Sequence, residues 1–166
     1  MSRSGIGFDA HSFVGGAGDG GRPLVIGGVT IPGHAGLAGH SDADVLSHAV
    51  ADALLGAAGL GDLGSRFPGD DRWKDASSLA ILDETARLVR DAGYRVAYVD
   101  ASVVAEEPRL APHRAAMRKN VAWALGVSED DVSIKATTTD GLGFAGRGEG
   151  IAALAVATIE PAEARS

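Results

Sequence analysis

Apolar residues fall into short alternating runs and longer helical steps along most of the chain. Leu24-Val25-Ile26 and Val29-Thr30-Ile31, joined at Gly27-Gly28, predict a β-hairpin. From Ser41 to Ala58, Val45, Leu46, Ala49, Val50, Ala53 and Leu54 recur at helical spacing and predict an amphipathic helix. Ser41 and Asp44 resemble its capping box, with Asp in the place of Glu or Gln. Ser78 to Ala92 predicts a second helix, ended by Gly93, and Pro112 to Leu125 a third, with Pro in its first turn and Gly126 at its end. Tyr94 to Ala105, Val132 to Thr138 and Ile151 to Ile159 predict strands, the last apolar enough to be expected buried. Strands and helices mix without strict βαβ alternation. That predicts an α+β fold, a β-sheet with helices on one face, whose other face needs cover from other subunits.

The chain has 166 residues, no repeat at a fixed period and no long linker, which predicts a single domain over 1–166. Lys and Arg number 15 against 22 Asp and Glu, a net charge of −7 that argues against nucleic acid or an anionic membrane as partner. The apolar run at Ile151–Ile159 is too short to span a bilayer, and Met1-Ser2-Arg3-Ser4 shows no apolar leader, so a cytoplasmic location is expected. There is no Cys, so a metal must be held by His, Asp, Glu or backbone oxygen. Gly is 24 of 166, about twice the usual ~7%, and clusters near Gly15–Gly28 and Gly141–Gly150, where backbone must turn or come close to something.

Four segments carry candidate chemistry. Asp9-Ala10-His11 on an extended strand points Asp9 and His11 to one side, as a shared divalent cation requires or as an Asp–His hydrogen bond at a strand end also would. In His40-Ser41-Asp42-Ala43-Asp44 followed by His48, the positions Asp44, His48 and Asp52 share one helical face. His48 would complete a three-ligand site with an open fourth position, and Asp52 or Asp44 would then accept from its other ring nitrogen. His40 and Ser41 are expected at the helix start, which favours phosphate. Lys135-Ala136-Thr137-Thr138-Thr139-Asp140, with the Gly-rich run to Gly150, suits phosphate held by Thr hydroxyls and loop N–H groups, with Asp140 on a hard cation; an ordinary Gly-rich turn fits equally. Ala105-Glu106-Glu107-Pro108-Arg109-Leu110-Ala111 can present backbone to a base edge or simply connect strand to helix. His34 and His113 are expected at the surface without a chemical role.

Together Gly7-Phe8-Asp9-Ala10-His11, Gly39-His40-Ser41-Asp42-Ala43-Asp44, Asp52-Ala53-Leu54-Leu55-Gly56, Gly61-Asp62-Leu63-Gly64, Phe67-Pro68, Lys135-Ala136-Thr137-Thr138-Thr139 and Gly143-Phe144-Ala145-Gly146-Arg147-Gly148-Glu149-Gly150 resemble one family closely, from Gly5 to about Ile159. It is the 2-C-methyl-D-erythritol 2,4-cyclodiphosphate synthase family of non-mevalonate isoprenoid biosynthesis. The resemblance implies zinc, or a similar divalent ion, on Asp9, His11 and His48, and Mg²⁺ or Mn²⁺ on Asp140 bridging the substrate diphosphate. It implies 4-diphosphocytidyl-2-C-methyl-D-erythritol 2-phosphate as substrate and release of CMP, with His40 and Thr138 stabilising the transition state. Asp62, Leu63, Gly64, Phe67, Pro68, Gly69, Asp70 and Asp71 would line the erythritol pocket. Ala105, Pro108, Arg109, Leu110, Ala111 and Thr137 would hold the cytidine and its phosphates, with Ala10, Ser41, Thr139, Phe144 and Arg147 as further substrate contacts. The implied assembly is a homotrimer with mixed sheets packed around its axis, active sites between subunits, and Arg147 and Glu149 near a central cavity.

Three positions depart from the family pattern: Asp140 stands for the more common Glu, Gly141 for a frequent Lys, and Phe67-Pro68-Gly69-Asp70-Asp71 for Phe-Pro-Asp-Thr-Asp. Two rival readings remain at this point. One is a zinc phosphohydrolase using metal-bound water on the same triad. The other is a trimeric binding module whose metal is structural or whose cavity takes a prenyl diphosphate.

Overall fold

The computed structural model describes residues 1–14, 21–69, 73 and 76–162. Strand β1 (Arg3–Ser12) opens the chain, followed by the hairpin β2 (Pro23–Ile26) and β3 (Val29–Ala35). Helix α1 (Val45–Ala58), the short α2 (Leu63–Arg66) and α3 (Ser78–Asp91) precede β4 (Tyr94–Val104). Then come α4 (Arg114–Leu125), β5 (Val132–Thr137), the single turn α5 (Gly143–Gly146) and β6 (Gly150–Pro161). The main sheet has the order β1-β6-β4-β5; β6 is antiparallel to both neighbours and β4 is parallel to β5, so the sheet is mixed.

Strand alternation sorts the sheet's two faces. Ile151, Ala153, Ala155, Ala157 and Ile159 of β6, with Val99, Ala101 and Val103 of β4, enter the core beneath the helices. On the opposite face Ile6 lies across from Val156 and Phe8 across from Leu154. These four are 70%, 47%, 58% and 41% exposed, with Tyr98 beside them also open. The apolar run at Ile151–Ile159 is therefore left open at Leu154 and Val156, a correction to the expected buried strand. A strand apolar on both sides carries no mark of which side the chain itself covers.

The helix expected from Ser41 begins at Val45. Ala43 has a positive φ of 56°, which ends any earlier helical turn, and Asp44 is the N-cap, accepting from Ser47 N. Asp44 is fully buried and also accepts from the Gly27 and Gly28 N–H groups at 2.8 and 2.7 Å, tying the hairpin turn to the start of α1. Burial pushes its carboxyl above the usual range, against the pull of those donors. Pro112 falls in a 3₁₀ turn, Ala111–His113, ahead of α4 rather than inside it. Among the described residues no helix is long and apolar enough to cross a membrane.

Candidate active site

The centre of the site depends on how closely β1 approaches α1. Gly5 and Gly7 face the helix, and a Cβ at either would run into the Ala53 or Ala49 carbonyl oxygen. With Gly on the strand and Ala on the helix the two backbones nest, and His48 is carried over the inward side of β1. Asp9 and His11, on that side of the strand, meet it there. Asp9 Oδ2 lies 2.7 Å from His11 Nε2 and 3.0 Å from His48 Nδ1, and the two ring nitrogens are 3.3 Å apart. A tetrahedral cation with bonds of ~2.0–2.1 Å has ligand–ligand edges of about 3.3 Å, so the three atoms lie close enough together to share one ion. Among the described residues this is the group of acids and histidines able to hold a metal. Burial opposes charge on Asp9, but hydrogen bonds and charge from His11 and His48 outweigh it and hold the carboxyl well below the usual range.

The far nitrogen of His48 does not meet Asp44 or Asp52, as the helical spacing suggested. Asp44 is spent on the cap, and Asp52 accepts from Leu63 N at 3.0 Å, holding the start of α2. Nε2 instead sits 3.0 Å from Ser41 Oγ and 2.9 Å from Ser78 Oγ. Because α1 starts at Val45, His40 and Ser41 lie on the segment before it rather than at its N-terminus, another correction.

A cleft of 80 Å³ beside His48 is lined by His40, Ser41, Leu63, Phe67, Pro68, Gly69, Trp73 and Ile81. Phe67 and Trp73 pack edge to face at 4.9 Å. A Cβ at Gly69 would come within 2.9 Å of the His40 ring, so any side chain there would displace it. Trp73 was missed in the sequence; an aromatic in a polar, Gly-containing segment was its one signal. Asp62 is exposed and caps α2 through Ser65 N, and Gly64 lies within that turn. Asp70 and Asp71 lie outside the described residues.

A second cleft, of 200 Å³, joins Ala105, Pro108, Arg109, Leu110 and Ala111 to Ala136, Thr137 and Thr138. The two clefts have no lining residue in common. The loop beyond β5 is held by Glu106, whose Oε1 accepts from Thr139 N, Thr139 Oγ1 and Gly141 N at 2.9, 3.1 and 3.3 Å. The loop N–H groups expected to face phosphate are thus partly used inside the chain, and Glu106 was not anticipated. Asp140 sits at a positive φ of 53°, with its carboxylate 3.3 Å from Thr138 Oγ1. Arg147 pairs with Glu149 at 2.8 Å and borders a pocket of 490 Å³ with half-buried His34 and Glu106 and exposed Glu107. His113 is half-buried as well, so both histidines sit partly covered at the surface. The Ala10 side chain points to the sheet's opposite face, and with His11 and Phe144 it lines a shallow pocket.

These features define a class: a small α+β protein with an Asp–His–His group able to hold a metal between strand and helix, beside two largely apolar clefts edged by a few polar side chains. A family model described as the YgbB family matches residues 2–160, and the chain belongs to that family. The 2-C-methyl-D-erythritol 2,4-cyclodiphosphate synthase of Moorella thermoacetica is 60% identical over 98% of this chain and 97% of its own length. Among solved structures, the bifunctional IspDF of Campylobacter jejuni superposes with TM-score 0.90 at 41% identity, covering 97% of this chain and 42% of that one. A CDP complex of IspF from Plasmodium falciparum superposes at TM-score 0.84 and 29% identity, over 98% of this chain and 97% of the other.

Proposed function

We propose that the chain is the enzyme converting 4-diphosphocytidyl-2-C-methyl-D-erythritol 2-phosphate to 2-C-methyl-D-erythritol 2,4-cyclodiphosphate and CMP, in isoprenoid precursor biosynthesis. The carrying observation is the convergence of Asp9, His11 and His48 on one point beside a cleft. The curated relatives named for this reaction match nearly the whole chain. An oxygen of the 2-phosphate attacks the β-phosphorus, a new P–O bond closes the ring, and the bond to the CMP phosphate breaks with its electron pair leaving on CMP. No protein nucleophile is required, so the residues position groups and neutralise charge.

One oxygen and two nitrogen donors suit zinc; bound there, it supplies Lewis-acid polarisation of a β-phosphate oxygen. Asp140 would hold Mg²⁺ or Mn²⁺, which commonly takes one or two carboxylates together with phosphates. His40, exposed at the mouth of the first cleft, donates to charge developing on the attacked phosphate, and Thr138 donates from the second. The first cleft takes the erythritol unit through Leu63, Phe67, Pro68 and Gly69, with Asp62 and Gly64 at its rim. The second takes cytosine; that a structural relative forms a CDP complex supports a cytidine nucleotide as ligand. Separate clefts in one chain, with an open apolar sheet face, support a homotrimer whose active sites each combine the metal centre of one copy with the nucleotide cleft of the next. Each chain acts as one domain. A highly charged substrate and a Cys-free chain fit the cytoplasm.

Phosphorus NMR of the product formed in ¹⁸O-labelled water tests the reading. The cyclic diphosphate and CMP should appear together without ¹⁸O. A linear phosphate carrying ¹⁸O would establish a hydrolase instead, and no turnover over the uncatalysed rate would establish a binding module.

A further inference from the structure

We propose that Ser78 and Asp42 are positioning residues of the metal centre, holding His48 through Nε2 so that the Nδ1 lone pair faces Asp9 and His11. This rests on the metal reading of that triad. A neutral imidazole has one N–H; with Nδ1 given to a cation, the proton sits on Nε2 and needs a buried acceptor.

Ser78 Oγ, fully buried and 2.9 Å from Nε2, is that acceptor, because its own hydroxyl proton is committed to Asp42 Oδ1. Asp42 Oδ2 accepts from the Ser78 backbone N–H at 3.0 Å, so the carboxylate grips both donors of one residue at the start of α3. Ser41 Oγ, 3.0 Å from Nε2 and 3.3 Å from Ser78 Oγ, backs the same nitrogen. The relay therefore runs in one direction, from His48 Nε2–H to Ser78 Oγ–H to the Asp42 carboxylate. Partners of this kind fix the orientation of a ligating ring and raise its basicity. Nothing in the helical spacing of α1 pointed to it, since Ser78 belongs to another helix.

Asp42→Asn probes the direction. An amide has one acceptor where the carboxylate has two. With that oxygen kept on the Ser78 N–H, the NH₂ faces Ser78 Oγ and turns its hydroxyl proton toward Nε2. The relay reverses, favours Nδ1–H and sets that proton against the cation. Zinc affinity, measured by chelator competition, should fall about 10- to 100-fold. Ser78→Ala leaves Ser41 as acceptor, so a smaller loss is expected. In the zinc-loaded protein the His48 Nε2–H proton resonance should move upfield in both variants, a shift that general loosening of α3 does not produce selectively. Wild-type affinity and an unmoved resonance in both variants, with zinc lost in a His48→Ala control, would overturn the relay while leaving the centre intact. Zinc retained by His48→Ala would overturn the metal reading and the relay with it.

Discussion

Glu106 concentrates three hydrogen bonds on one oxygen, and that detail makes its role separable from its charge. Oε1 alone reaches Thr139 N, Thr139 Oγ1 and Gly141 N. Glu106→Gln keeps a carbonyl oxygen there and should leave turnover close to wild type. Glu106→Ala frees the loop carrying Thr138 and Asp140 and should lower kcat by about 10- to 100-fold, the scale of a misplaced reacting group, as steady-state kinetics would record. The Thr139 N–H, then that of Gly141, hold the Glu106 carboxyl below its usual range. A lowered folded-state pKa means the contribution is present above the ordinary Glu range and fades as pH falls through the lowered value, so Gln should also remove that acid sensitivity. Asp140 holds its carboxylate 3.3 Å from Thr138 Oγ1 on the same loop. Asp140→Asn should raise the Mg²⁺ or Mn²⁺ concentration giving half-maximal activity, with zinc content per chain unchanged by elemental analysis.

Among the elements, the pairing of β1 with α1 decides whether a centre exists at all. Gly7→Ala places a methyl against the Ala49 carbonyl oxygen of a rigid helix backbone. Strand and helix must separate, at a cost of about 1–3 kcal/mol in chemical denaturation. The larger sign should be lost zinc, because Asp9 and His11 ride on one element and His48 on the other. The Asp44 cap works at the same scale. It joins α1 to the hairpin turn, and so sets where the helix starts and which face His48 occupies.

In the whole molecule the open sheet face is the unfinished part. Ile6, Phe8, Leu154 and Val156 make a contiguous apolar strip on an otherwise acidic chain, the surface expected to meet copies of itself. Phe8→Glu should leave the chain folded, because the side chain points away from the core, yet shift the proposed homotrimer toward monomer in light scattering. Activity should fall with it, since the metal centre and the nucleotide cleft would come from different copies. The sharing itself is testable by mixing. His48→Ala and Asp140→Asn chains, each impaired alone, should regain turnover when unfolded and refolded together. No recovery would mean that each chain completes its own site.

Local order alone made much of this legible. Alternation and helical spacing located the hairpin, α1, α3, α4 and the strands from β4 onward to within a few residues, because each is set by which side chains face a core. The period of two in Asp9-x-His11 placed both donors on one side of β1 for the same reason. Pairing across distance was beyond it: Ser78 behind His48, Glu106 beneath the 139–141 loop, and Asp44 on the hairpin rather than beside the metal. Those partners lie far apart in the chain, and the folded backbone chose them by bringing unsatisfied donors within reach of buried acceptors. Which face of β6 stays open was likewise undecidable from its apolar run. Only the stacking of α1, α3 and α4 on one side of the sheet settled it.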